Sequence, residues 1–546
     1  MPKNHNKNSL RNHHGPTGSS RRTIESSPIL FIMVVNLVPK VVVLVTLALS
    51  YIGVVDAGIP VPEEFFPSQK IDHLDGSDDD GGVWTQRYYT YGKHFQGPGH
   101  PIFLILGGEG GISPETGIMY PFVADHLAKT FGGFVLQPEH RFYGKSQPLQ
   151  RTQNKQEDYT RSFPSHHQHE TEDPRVKLFT SEQALHDAVF LLDHIRANLG
   201  CSTGMNDSVS SGIDPSKYCP VVTVGGSYPG FLAAFARMLF PDVVDMAYAA
   251  SAPMGFYAQE TNRFAYYNHI TAVAEDTYQG CSKAVKSVLL EVRDRIAQSQ
   301  SVKDIESVAS EVGICEGSIP DYVFDDGRDK GGDSIGGRTS DGFQTTTMIN
   351  ELMMVVGYTF ANDNMASYPP GKDSRLYGAC QIFSSDQLSP TEKVRDFLTQ
   401  RLHLDNHSVS PRFSSSLRAS SSCWKMTDQL PTGPNATISG GDWSGDGTGS
   451  NGESWDFQTC TLLVEAIGFS EGASMFPPRD WTLNWMREHC TKRFGVVPRP
   501  YELVKRFRFG SDELASTNTT RILFTNGLKV RQQKTKVDKS YDFGSV

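Results

Sequence analysis

No two of the eight cysteines are spaced as CxxC, so the zinc ligand pairs built from that spacing are absent. No basic patch breaks the acidic balance of the chain. Residues 1–57 hold six Lys/Arg and two acids, and the rest holds 45 basic against 59 acidic residues, a net charge of −14. That balance excludes nucleic acid as a partner. No lysine follows Gly107-Gly108-Glu109-Gly110 at P-loop spacing, so the loop does not read as a phosphate cradle. There is no internal repeat. No apolar run is both long and unbroken: Ile29–Val55 is interrupted by Asn36, Pro39 and Lys40. The uninterrupted part, Val41–Val55, is short for a membrane span and suits the apolar region of a signal peptide. Val55-Asp56-Ala57 then resembles a cleavage site that leaves Gly58 first. An uncleaved anchor over residues 29–55 is the rival reading, and it is the only membrane contact the sequence suggests.

What is present is a 546-residue chain of ordinary globular composition, 38% hydrophobic and 10% aromatic. Its cysteines, Cys201, Cys219, Cys281, Cys315, Cys380, Cys423, Cys460 and Cys490, are even in number and all follow the apolar segment. With an export signal they read as disulfides, whose 105 connectivities the sequence leaves open. Four glycosylation triplets, at Asn206, Asn406, Asn435 and Asn518, agree with export.

The pattern of elements is α/β. "WTQRYYTYGKHF" alternates like a strand, "PIFLILGGEGG" is a buried strand running into glycines, and "MYPFVADHLAKTF" has helical spacing. Polar insertions are expected over 150–176 and 202–217. Between them "TSEQALHDAVFLLDHIRANL" reads as an amphipathic helix capped by Thr180 or Ser181. Strands and helices in alternation imply a mostly parallel sheet. Past Gly255 the texture turns helical, with Gly-, Asp- and Ser-rich loops, until "TNTTRILFTNG" restores a strand and turn. The divisions expected are a disordered N-terminus with signal peptide or anchor (1–57), a first core part (58–255), a helical cap (256–450), a second core part (451–527) and an atypical tail (528–546).

"TVGGSYPG" carries the chemistry. A serine hydroxyl is a poor nucleophile unless a base takes its proton and a third group orients that base. Here Val221–Val224 reads as the strand, Ser227 as the turn and Phe231–Phe240 as the helix, the strand–turn–helix setting of the G-x-S-x-G elbow. Pro229 stands where the second glycine is usual, tolerable in a first helical turn, and Gly230 relieves crowding. The expected oxyanion donors are the backbone N–H groups of Tyr228 and of the glycine loop at Gly108. The plainer alternative is an inert serine in a glycine turn.

The stretches "LGGEGG", "PEHRFYGKS", "VGGSYPGFLAAFARMLFPDVV", "WDFQTCT", "MFPPRDWTLNWMREHCTKRFGVVPRP" and "TRILFTNG" resemble, in order, the post-proline serine peptidases, the family of prolyl carboxypeptidase, dipeptidyl peptidase II and thymus-specific serine protease. The resemblance implies an α/β-hydrolase fold with an inserted helical cap, and a serine exopeptidase cutting Pro-Xaa bonds at acid pH. It implies peptide substrates with proline near a terminus, no cofactor and no metal. It also implies a lysosomal, vacuolar or extracellular location reached through the secretory pathway; a homodimer is an open alternative. Two departures stand out. Leu462 replaces a glutamate that many relatives carry after Cys-Thr. Val530 stands where the resemblance expects the triad Asp, and no histidine follows His489. Neither the triad Asp nor the triad His is assigned, and the tail reads as unrelated sequence. His140 is expected to hold a loop beside the site, and His489 to be an ordinary surface or core histidine. A catalytically inactive peptide-binding homologue is the second reading.

Overall fold

A computed structural model of the protein describes residues 59–75, 82–149 except 115, 173–202, 215–319, 345–367, 370–405, 423, 424, 426, 449–479, 481–516 and 519–527. Seven strands form one sheet: β1 (Glu64–Lys70), β2 (Val83–Tyr91), β3 (Ile102–Ile105), β4 (Phe134–Pro138), β5 (Val221–Gly226), β6 (Met246–Ala250) and β7 (Ile522–Thr525). Their spatial order is β1-β2-β4-β3-β5-β6-β7. The first two pairings are antiparallel and the other four are parallel. β3 and β4 are buried along their whole length, as parallel strands covered on both faces must be.

One face is covered by α1 (Ser181–Leu199) and α2 (Tyr228–Leu239), which lie between β4 and β5 and between β5 and β6. Leu185, Leu191 and Leu192 pack with Ile102, Leu104 and Phe231 there. The other face is covered by residues 121–131, whose Val123, Ala124 and Leu127 meet Phe103, Val135 and Val224. α1 starts where expected: the Thr180 hydroxyl accepts the Gln183 N–H at 3.2 Å, and Gly200 ends the helix in the left-handed region. A central parallel sheet with helices on both faces is the α/β-hydrolase arrangement. Of the insertion expected over 150–176, residues 173–176 are described, and Arg175–Leu178 forms a short helix with the Arg175 guanidinium 4.3 Å from the Phe457 ring.

Between β6 and β7 the described residues contain helices and loops but no strand of the sheet. α3 (Ala265–Thr277), α4 (Cys281–Ala297), α5 (Val302–Glu311), α6 (Thr345–Met365), α7 (Arg375–Phe383) and α8 (Pro390–Asp405) share a second apolar core. The disulfides are Cys201–Cys219, Cys281–Cys380, Cys315–Cys423 and Cys460–Cys490. Two of them close spans of 99 and 108 residues within the helical segment. In the chain-entropy picture each of those contributes about 4–5 kcal/mol. Among the described residues no helix is long and apolar enough to cross a membrane.

α6 carries a buried acid with a pH signature. Glu351 Oε2 has no hydrogen-bond partner among the described residues. Burial pushes its pKa up from 4.5 to about 8, against the opposing pull of the Arg479 guanidinium. The native state therefore holds a proton that the unfolded chain has released across that window, and stability falls as pH rises through it. Urea midpoints should drop between pH 5 and pH 8. Glu351→Gln should flatten that drop, and an unchanged slope would sink the assignment.

Candidate active site

The elbow begins with a close approach of three elements. A Cβ on Gly225 would lie 2.0 Å from the Pro229 carbonyl oxygen, and one on Gly230 would lie 2.6 Å from that of Ala250. Only glycine lets β5, α2 and β6 meet so closely. Gly226 is less constrained: its added Cβ would meet the Tyr120 hydroxyl at 3.1 Å. Between them Ser227 holds φ 58° and ψ −129°, a left-handed conformation rare for a residue with a side chain. Its N–H bonds to the Ala250 carbonyl at 2.9 Å, and its own carbonyl accepts the Phe231 N–H at 3.1 Å. Tyr120 completes the turn, its hydroxyl accepting the Gly226 N–H at 3.0 Å. The helix begins at Tyr228, three residues earlier than the sequence suggests. Pro229 is absorbed into the first turn, where no intrahelical donor is required.

Gly108 is brought to the same place. A Cβ there would sit 2.5 Å from Pro229 Cγ, so the loop after β3 touches the first turn of α2 beside Tyr228. That loop rests on the one after β4, and Glu139 ties them together. Its buried carboxylate takes the Ile112 and Lys145 N–H groups, the Ser146 hydroxyl and two nitrogens of Arg87.

The Tyr228 side chain is the centre of a buried polar network. Its hydroxyl lies 3.0 Å from His140 Nε2, 3.1 Å from Ser181 Oγ and 3.1 Å from Gln458 Nε2. Gln458 Oε1 in turn accepts the Tyr143 hydroxyl at 2.7 Å. His140 Nδ1 faces the Arg141 carbonyl at 2.7 Å, an acceptor, so the proton resides on Nδ1. Nε2 is then the acceptor for the Tyr228 hydroxyl proton. Burial lowers the His140 pKa to about 4, which keeps the ring neutral. His140 positions Tyr228, in line with the loop-holding role read from the sequence.

His489 lies on α10 (Leu483–Phe494), and its Nε2 faces both oxygens of Asp456 at 3.0 Å. Asp456 belongs to α9 (Gly449–Thr459) and is also paired with Arg493; against the upward push of burial, its contacts with His489 and Arg493 hold it below the usual carboxylate range. Cys460 lies close to both, but its sulfur is bonded to Cys490. Two ligands and a guanidinium on the carboxylate do not make a metal site. Leu462 is buried in the apolar core that includes Tyr228, so its position carries no polar role. No described side chain hydrogen-bonds to the Ser227 hydroxyl. Val530 and the sequon residues Asn206, Asn406, Asn435 and Asn518 lie outside the described residues.

The lysosomal Pro-X carboxypeptidase of Mus musculus is 25% identical over 462 residues, covering 84% of this chain and 76% of its own length. The thymus-specific serine protease of Homo sapiens is 30% identical over 237 residues, covering 42% and 38%. A solved thioesterase domain from the curacin biosynthetic pathway overlaps 35% of this chain and 47% of its own length. At 16% identity and a TM-score of 0.19 it adds nothing to the fold read from the sheet. The profile described as serine carboxypeptidase S28 matches residues 69–529, and the chain therefore belongs to that family of serine peptidases.

Proposed function

We propose that the chain is a serine exopeptidase that cuts peptides after proline through an acyl-enzyme on Ser227. The observation that carries this reading is the strained backbone of Ser227 between β5 and α2, which lifts a hydroxyl out of the sheet's carboxyl end. In the reaction the Ser227 Oγ–H adds to the scissile carbonyl and its proton passes to the departing amine. The C–N bond breaks, and water then hydrolyses the ester. The N–H groups of Tyr228 and Gly108 are the proposed oxyanion donors, and the network on the Tyr228 hydroxyl fixes the first of them. The preference for proline rests on the relatives, one of which is named a Pro-X carboxypeptidase. Four disulfides suit an oxidising compartment, and the secretory pathway to a lysosome or the cell exterior is the proposed route.

A second reading has its own support. The Ser227 hydroxyl has no histidine on it among the described residues, which favours a peptide-binding homologue with little turnover. The test is digestion at pH 5 of two peptide sets, one with proline second from the N-terminus and one with proline next to last, read by mass spectrometry. Cleavage on the carboxyl side of proline is expected. Saturable binding without cleavage favours the second reading, and cleavage at unrelated bonds overturns both.

A further inference from the structure

Asp456, Cys460, His489 and Cys490 meet where α9 and α10 pack. The Cys460 N–H bonds to the Asp456 carbonyl at 2.8 Å, one helical turn, so the two side chains leave the same face. His489 and Cys490 are neighbours on α10. One ligand atom from each of Asp456, Cys460 and His489 lies within 4.8 Å of the others, and Cys490 is bonded to Cys460. Asp456 and both cysteines are buried; the His489 ring, at 14% side-chain exposure, opens the cluster to solvent. With the disulfide closed, the sulfurs are spent on each other and the cluster offers two ligands.

Opening the disulfide changes the chemistry. Two thiolates, an imidazole and a carboxylate are the donor set of a tetrahedral zinc site, with Zn–S about 2.3 Å and Zn–N or Zn–O about 2.0–2.2 Å. Those lengths set neighbouring ligand atoms ~3.3–3.8 Å apart. The contact of His489 Nε2 with Asp456 Oδ1, at 3.0 Å, has only to widen slightly, and the unbonded sulfurs part to that spacing. Oδ1 is the available carboxylate oxygen, because Arg493 donates to Oδ2. Nδ1 of His489 has no partner among the described residues, so it takes the imidazole proton and leaves Nε2 bare for a metal. The charge also closes. Two thiolates, a carboxylate and a neutral imidazole around a divalent ion leave one negative charge, and the Arg493 guanidinium on Asp456 balances it.

We propose that Asp456, Cys460, His489 and Cys490 form a redox-gated zinc site: the reduced chain holds one Zn²⁺ there, and oxidation replaces the ion with the Cys460–Cys490 bond. Loading exchanges two thiol protons for the ion. Release is a two-electron step. The two bound thiolates are oxidised to the disulfide, a small-molecule disulfide such as oxidised glutathione is reduced to two thiolates, and Zn²⁺ leaves. Ion and disulfide are thus alternative clamps between α9 and α10. α9 also carries Gln458, whose amide donates to the Tyr228 hydroxyl, so the ion holds that helix in place before the chain meets the oxidising compartment that four disulfides suit. The site does not depend on Ser227 being a nucleophile.

Cobalt(II) is the probe, because a tetrahedral thiolate site gives it intense visible bands that zinc removes. The 546-residue protein is reduced with a phosphine under argon and titrated with Co²⁺ and then Zn²⁺, with the oxidised protein beside it. The reduced parent should take one Co²⁺ per chain with tetrahedral bands, and the oxidised protein none. Zinc should displace the cobalt, and oxidised glutathione should then release the zinc to a chromogenic chelator. Cys460→Ser with Cys490→Ser, which keeps the other six cysteines, should abolish the bands. His489→Ala and Asp456→Asn should each weaken binding at least about tenfold, the loss seen for even an outer-shell partner. Melting curves give a second readout: zinc should raise the melting temperature of the reduced parent and leave that of the reduced double variant unchanged. Three results overturn the site: no tetrahedral bands in the reduced parent, bands that survive in the double variant, or undiminished affinity in both the His489 and the Asp456 variants.

Discussion

Whatever slow covalent labelling a fluorophosphonate gives on this chain, Ser227→Ala is expected to abolish it. The unsubstituted chain is expected to turn over a Pro-Xaa peptide at least ~10³-fold more slowly than the lysosomal Pro-X carboxypeptidase of Mus musculus, the weight measured for a triad member, because no described histidine meets the Ser227 hydroxyl. The first result follows from the elbow, which presents no other hydroxyl in this strained setting next to the Tyr228 N–H. The second follows from the histidines. His140 has both ring nitrogens engaged, one by the Arg141 carbonyl and one by the Tyr228 hydroxyl, and burial holds its pKa near 4. It cannot accept the serine proton without breaking the contact that positions an oxyanion donor. His489 is turned to Asp456, with its ring 5.6 Å from that of Trp485. The remaining rate would come from binding and from the oxyanion donors alone. Turnover of the two purified proteins at pH 5 and pH 7 measures the difference. A rate within tenfold of the relative would mean that a histidine outside the described residues, such as His166, His167, His169 or His407, supplies the base. Labelling of the alanine variant at the parent's rate would mean that another serine is the nucleophile.

The elbow was legible because its signals are local. An apolar run, two glycines, a serine and a second apolar run fall within twenty residues, and close packing of β5 on α2 leaves few other ways to fold them. The strands of the parallel part and α1 were legible for the same reason, their periodicity lying within one element, whereas β1 was not read at all. What surrounds the elbow was not. The Tyr228 hydroxyl finds partners 47, 88 and 230 residues away in sequence, and no local pattern announces such pairings. The start of α2 was placed three residues late, at Phe231, although Pro229 was already read as compatible with a first turn, which has no donor for proline to remove. Cysteine pairing was closed to sequence reasoning, since nothing in the spacing separates Cys281–Cys380 from its alternatives.

Asp187 is the plainest case of a residue whose weight the sequence hides, and its removal should be the largest loss of stability of any single substitution near the site. On an amphipathic helix an aspartate reads as a solvated residue, yet Asp187 on α1 is fully buried. Its two oxygens take the Nε and Nη2 groups of Arg141 at 2.6 Å each, and His73 Nε2 lies 2.9 Å from Oδ1. The other Arg141 donors go to the carbonyls of Leu178, Ile71 and Lys70, at 2.8, 3.1 and 3.3 Å, so all five of its N–H groups are used. Asp187→Ala leaves that guanidinium buried without its counter-charge, a change that costs about 3–5 kcal/mol. Chemical denaturation should show the midpoint falling with an unchanged slope. Replacing both partners together, Asp187→Leu with Arg141→Met, should recover much of the loss, because an apolar pair has no charge to strand. The site should suffer as well. Arg141 supplies the carbonyl that fixes the His140 tautomer, and His140 holds the Tyr228 hydroxyl, so fluorophosphonate labelling of Ser227 should slow in the single variant even where it remains folded. A loss below about 1 kcal/mol would place Asp187 among ordinary surface pairs and detach the loop bearing His140 from the elbow it is argued to support.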